Sequence, residues 1–88
     1  MIDAAQVRAA RGLLDLTQAQ VSELAAVSVA TVKRVEAAEV VRGSAEVVWK
    51  IQTALESAGI EFIAADEGKG PGVRLRKPAG RGRTKGKR

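Results

Sequence analysis

"LTQAQVSELAAVSVATVKRVE", residues 16–36, decides how this chain is read. Apolar residues recur at helical spacing twice within it, first as Val21, Leu24 and Ala25, then as Val32 and Val35. A break of three residues, Ala26-Val27-Ser28, separates the two patterns. Thr17 is placed to cap the first helix and Ser28 the second, since a hydroxyl can accept from a free backbone N–H two or three residues on. The first helix spans only about two turns, too short to persist without packing. Two short helices joined by a tight turn form a helix-turn-helix, an arrangement that lays its second helix in a major groove of duplex DNA. The first helix of such a pair crosses the DNA backbone and aims its N-terminal N–H groups at phosphate, and Gln18 would add a side-chain donor there.

Outward from this stretch, Val7, Ala10 and Leu14 make one apolar stripe, predicting a helix from Asp3 to Leu14 with Asp3 as N-cap and Gly12 weakening its last turn. The third helix should run from Val29 to about Ala37, with Val32 and Val35 inward and Val29, Ala30, Thr31, Lys33 and Arg34 mostly exposed. Ser44 reads as the cap of a fourth helix that buries Val47, Val48, Ile51, Ala54, Leu55 and Ala58, and Gly59 as its stop. The period then changes to two. "IEFIA" (60–64) and "VRLR" (73–76) read as strands joined by the loop "DEGKGPG". Beyond Pro78 the chain has no apolar residue but one alanine, a composition that stays disordered until it binds something. The expected fold is all-α, four to five helices over 1–59, with a short C-terminal β-hairpin over 60–77 and a disordered basic tail over 78–88.

Composition narrows the function. With 88 residues the chain forms one domain. It has no cysteine and no histidine, which removes thiolate sites, the commonest metal ligand and the commonest general base. No enzyme activity, cofactor or metal is expected. No segment is apolar for long enough to cross a membrane and none reads as a signal peptide, so the expected location is cytoplasmic, at the nucleoid. The net charge of +5 hides a division. Residues 1–68 hold six basic against ten acidic residues, a balance of −4, while 69–88 hold nine basic and no acidic residues. A cationic tail on an acidic body points to a polyanionic partner.

The stretch "QVRAARGLLDLTQAQVSELAAVSVATVKRVE" resembles the lambda-repressor-like, Cro/C1-type (XRE family) helix-turn-helix domain, and the likeness extends over residues 6–63. "TQ" would open the scanning helix, "AVS" occupy the turn and "ATVKRVE" form the recognition helix. The resemblance implies a lambda-repressor-like fold and a transcriptional regulator, with Gln18 on phosphate and Ser28, Val29, Ala30, Thr31, Lys33 and Arg34 facing DNA. It also implies a salt bridge between Arg11 and Glu36, joining the first and third helices. Ala26 departs from the glycine usual at this turn, and a left-handed alanine there costs roughly 1 kcal/mol more than glycine. Ser22 departs more mildly, from alanine. Val29 and Ala30 can touch thymine methyls but offer no hydrogen bonds, so base reading would lean on Thr31, Lys33 and Arg34.

Each of these residues also has an ordinary reading. Lys33 and Arg34 could be a solvated helix face, and Arg11 and Glu36 unpaired surface charges. Trp49 lies off the buried stripe, either covering the edge of the core or anchoring an interface. The expected partners are double-stranded DNA and a second copy of the chain, with Trp49, Phe62 and Leu75 in the homodimer interface. Arg81, Arg83, Lys85, Lys87 and Arg88 of the tail would contact phosphates. "GKGPG" lacks the strand–loop–helix context of a phosphate loop and reads as a flexible turn. Repression by occlusion is the simplest activity; activation through RNA polymerase and an antitoxin-like module that binds a cognate partner protein are the alternatives. An RNA binder led by the tail would offer stacking aromatics, which the tail lacks.

Overall fold

Four helices precede an antiparallel pair of strands: α1 (Ala4–Leu14), α2 (Gln18–Ala25), α3 (Val29–Glu36), α4 (Ser44–Ser57), β1 (Ile60–Ile63) and β2 (Gly72–Leu75). The structure, a computed structural model, describes residues 1–39 and 43–77. The expected basic tail, including its disorder, lies outside the described residues. No helix among the described residues is long and apolar enough to cross a membrane.

The first three helices start on side-chain caps. Asp3 and Gln6 form a reciprocal capping box at α1, and Thr17 and Gln20 repeat it at α2, so that each cap side chain and each backbone N–H satisfies the other. Ser28 caps α3 by accepting from the Thr31 N–H at 3.0 Å. The expected cap at Ser44 is a correction. Gly43 occupies that position in the left-handed region, at φ 67°, without a side-chain cap, and Ser44 is already the first helical residue. A left-handed approach is cheap only for glycine, so the turn is made one residue early.

Three helix ends turn through left-handed residues that are not glycine: Asp15, Ala26 and Ala38, at φ 58°, 58° and 60°. In each case the following N–H reaches back five residues, from Leu16 to Arg11, Val27 to Ser22 and Glu39 to Arg34, at 3.0–3.1 Å. This is the hydrogen-bond pattern of the Schellman motif. It satisfies carbonyls that the helix leaves free, at the cost of crowding each alanine Cβ against the following carbonyl.

The core draws on every helix and on β1. Val7 and Ala10, Val21 and Ala25, Val32 and Val35, Ile51 and Leu55, and Ile60 form one buried cluster. α2 lies against α3 and α4, and α3 also against α1. Some expected core positions differ. Leu24 is 55% exposed, because α4 covers only the Val21–Ala25 side of so short a helix. Ala58 caps α4 and is exposed, while Leu14, Val47, Val48 and Ala54 are half-buried at the margin.

The strands pair Ile60 with Leu75, Glu61 with Arg74, Phe62 with Val73 and Ile63 with Gly72. Phe62, Val73 and Leu75 pack toward the core. Glu61 and Arg74 form an exposed ion pair on the other face. The buried Gln6 joins the hairpin to α1. Its Nε2 donates to the carbonyls of Ile63 at 3.2 Å and Gly72 at 2.9 Å, while its Oε1 accepts from the Asp3 N–H. One side chain thus closes a helix end and holds the loop end of an otherwise marginal two-stranded sheet.

The left-handed Ala26 gives a signed prediction. Ala26→Gly relieves roughly 1–2 kcal/mol of backbone strain and costs roughly 0.4–1 kcal/mol in unfolded-chain entropy, for a net gain of about 1 kcal/mol in urea unfolding. Ala25→Gly, one residue earlier and inside α2, should destabilise by about 1 kcal/mol or more.

Candidate nucleic-acid interface

Apolar contacts set the rotation of α3. Val32 and Val35 are buried, which turns Ala30, Lys33 and Arg34, spaced i, i+3 and i+4, toward solvent. Val29 and Thr31 are half-buried at the flanks of this stripe. At the leading end, Ser28 and Thr31 share a hydroxyl–hydroxyl hydrogen bond of 2.8 Å as well as the cap. The Thr31 side chain is therefore held against the first turn of α3.

The trailing end of α3 is held by charge. Glu36 is its last residue and only 5% exposed. Arg11 approaches the carboxylate with two donors, Nε to Oε2 at 2.7 Å and Nη2 to Oε1 at 3.0 Å. The third Arg11 nitrogen, Nη1, donates to the Leu16 carbonyl at 3.1 Å, just before α2. Gln18, half-buried at the start of α2, donates from Nε2 to Glu36 Oε1 at 3.0 Å. Arg8 donates to the Glu36 backbone carbonyl. Burial alone pushes the Glu36 carboxyl up, but the hydrogen bonds from Arg11 and Gln18 and the charges of Arg11 and Arg8 outweigh it and hold the group below its ordinary range. The same hydrogen bond raises the Arg11 guanidinium against its own desolvation.

The residues singled out in the sequence thus fall into three places. Gln18, Arg11 and Glu36 meet in one hydrogen-bonded cluster, with the Gln18 amide already engaged inside the protein. Ser28, Val29, Ala30, Thr31, Lys33 and Arg34 lie along the first two turns of α3 and its cap. Trp49, Phe62 and Leu75 do not form one surface. Phe62 and Leu75 are half-buried against the chain's own core, whereas Trp49 is 63% exposed beside Leu24, Ala26 and Thr53. The pleat explains the split, because Phe62 and Leu75 lie on the sheet face that the helices cover. Arg81, Arg83, Lys85, Lys87 and Arg88 lie outside the described residues.

Two contributors, Gln6 and Arg8, were not singled out by sequence, and the role of a third, Ser22, was noted only as a departure from alanine. Gln6 was legible in part, since Asp3-x-x-Gln6 has capping-box spacing, but its reach to residues 63 and 72 has no local signal. Arg8 precedes Arg11 by three residues and shares its helix face, which was the available clue. Ser22 is buried, and its hydroxyl is satisfied by the Ala19 carbonyl at 2.7 Å. Comparison with protein-family models, with curated proteins and with solved structures gives no match for this chain.

The Glu36 cluster sets an acid dependence. A carboxylate whose folded pKa is depressed adds stability that is fully present above its unfolded pKa, about 4.3, and is lost as pH falls through the lower folded value. Glu36→Gln should therefore cost about 3 kcal/mol at pH 7 in denaturant unfolding. The gap to wild type should narrow steadily as pH drops below about 4.

Proposed function

We propose that this chain is a sequence-dependent, double-stranded DNA-binding transcriptional regulator of the lambda-repressor-like helix-turn-helix type, acting as a repressor by occluding its site. The observation that carries this reading is the outward stripe of α3, with Ala30, Lys33 and Arg34 exposed and the helix pinned at both ends by Ser28 and Glu36. A helix presenting small residues near its leading end and two cations behind them suits a major groove. Lys33 and Arg34 would supply hydrogen bonds to guanine edges or phosphate, and Thr31 and Ala30 contact with thymine methyls. The start of α2, with Gln18 and the first-turn N–H groups, would meet the backbone phosphate. Residues 81–88 would add attraction independent of sequence. Two copies of the chain would set their recognition helices about 34 Å apart. With Phe62 and Leu75 half-buried against the core, the neighbouring exposed pair Trp49 and Leu24, which line one groove, would serve that contact.

The same exposed pair favours a second reading, an antitoxin-like module that covers Leu24 and Trp49 with a cognate partner protein and binds DNA secondarily. Selection from a pool of random duplexes at moderate salt separates the two. Enrichment of a palindrome whose half-sites lie about one helical turn apart supports the homodimeric regulator. Binding without enrichment removes sequence-dependent recognition, and a monomer in sedimentation at micromolar concentration removes the homodimer.

Three variants divide the DNA contacts. Lys33→Ala and Arg34→Ala should each weaken the selected site by about 1–3 kcal/mol and relax base preference at one position, read by competition titration. A chain ending at Lys77 should bind all duplexes more weakly and lower the slope of log affinity against log salt by about 4, from the five cations removed.

A further inference from the structure

A glutamine carboxamide carries two N–H groups, and the structure occupies one donor of Gln18 with the Glu36 carboxylate at 3.0 Å. The acceptor is itself held in place. It is buried at the end of α3 and gripped by Arg11 through two hydrogen bonds. Gln18 is the first residue of α2, where the Gln18 and Ala19 backbone N–H groups have no acceptor within the helix. The Gln20 N–H is taken by Thr17. A side chain tethered in this way cannot rotate freely, which leaves its second N–H as the donor still to be used.

We propose that Glu36 is a positioning residue for DNA binding. By holding one N–H of Gln18, it aims the other, together with the first N–H groups of α2, at one backbone phosphate, and so ties the phosphate grip of α2 to the seating of α3. This rests on the DNA-binding reading above and adds to it a role for a carboxylate that never touches DNA. A negative group close to a phosphate would ordinarily repel it. Here the two guanidinium contacts from Arg11 and the nearby Arg8 balance the charge, leaving the carboxylate to act through the amide. The arrangement follows the general requirement that a binding group be locked by the residues behind it. It also means that α3 cannot be displaced at its C-terminal end without releasing Gln18.

The test is a double-substitution cycle on the full chain, read as affinity for the selected duplex, with the folded fraction of each variant checked by circular dichroism at the assay temperature. Gln18→Ala in the wild-type background should weaken binding about tenfold. In the Glu36→Ala background it should weaken binding less than about twofold, because no acceptor remains there to aim the amide. The salt slope should not change in the Gln18→Ala variant, since no cation is removed. Glu36→Asp provides the check if Glu36→Ala does not fold. It retains the charge for Arg11 but draws the carboxylate back from Gln18, and it should also reduce the effect of Gln18→Ala to less than about twofold. An equal tenfold loss from Gln18→Ala in all backgrounds overturns the proposal while leaving the DNA reading intact. Failure of wild type to bind any duplex at low salt overturns both. The side-chain amide signals of Gln18 in nuclear magnetic resonance give an independent reading that needs no substitution. One Nε2 proton should shift on adding duplex while the other, bonded to Glu36, holds its position; exchange of both with water at the rate of a free glutamine amide overturns the proposal.

Discussion

A buried carboxylate organises this protein. Desolvating Glu36 alone would cost several kcal/mol, and a negative charge there is tolerable only because Arg11 approaches with two donors, Gln18 with one, and Arg8 closes on the neighbouring carbonyl. Those partners come from α1 and from the start of α2, so one residue at the end of α3 links three helices. The placement also suits helix electrostatics, since two arginines sit where the last carbonyls of α3 concentrate negative partial charge. Everything that depends on the pose of α3 depends on this cluster together with the burial of Val32 and Val35.

The other elements are short and are kept in place by local chemistry at their ends. α2 and α3 have eight residues each, below the length at which a helix persists alone. Capping boxes start α1 and α2, Schellman hydrogen bonds finish all of the first three helices, and a modest core joins them. The left-handed alanines show that this economy has a cost: the reversal at Ala26 is required to bring α3 across α2, and the sequence makes it without glycine. Gln6 does for the hairpin what Glu36 does for α3, linking an element of weak independent stability to α1 through hydrogen bonds that span more than fifty residues.

Charge and apolar exposure fall on different parts of the surface. The cations of α3 point outward from a body whose first 68 residues are net negative, so an approaching polyanion meets favourable charge on that stripe and toward the C-terminus, and repulsion elsewhere. Trp49 and Leu24 lie together at a shallow apolar groove between α2 and α4, set apart from Phe62 and Leu75. The cationic stripe of α3 and this groove therefore share no residue.

The amino-acid sequence determined the local structure: period marked the four helices and caps the first three, the change of period marked the two strands, and the break at Ala26-Val27-Ser28 marked the turn. These features depend on neighbours within about four residues, which is the range over which helix caps and apolar stripes act. Ala30, Lys33 and Arg34 on the outward face of α3 were legible for the same reason, since Val32 and Val35 had to point inward, whereas Val29 and Thr31, expected mostly exposed, are half-buried. Only the tertiary structure decided that Gln18 is tethered to Glu36, that Gln6 reaches the hairpin, that Gly43 and not Ser44 opens α4, and that Phe62 and Leu75 are spent on the chain's own core while Leu24 is left outside. Each of those outcomes turns on which elements meet in space. A spacing rule can state which side of a helix is apolar, but how much of that side becomes covered, and which distant carbonyl or carboxylate a polar side chain finds there, follows only from the packing of α1, α4 and the sheet around it.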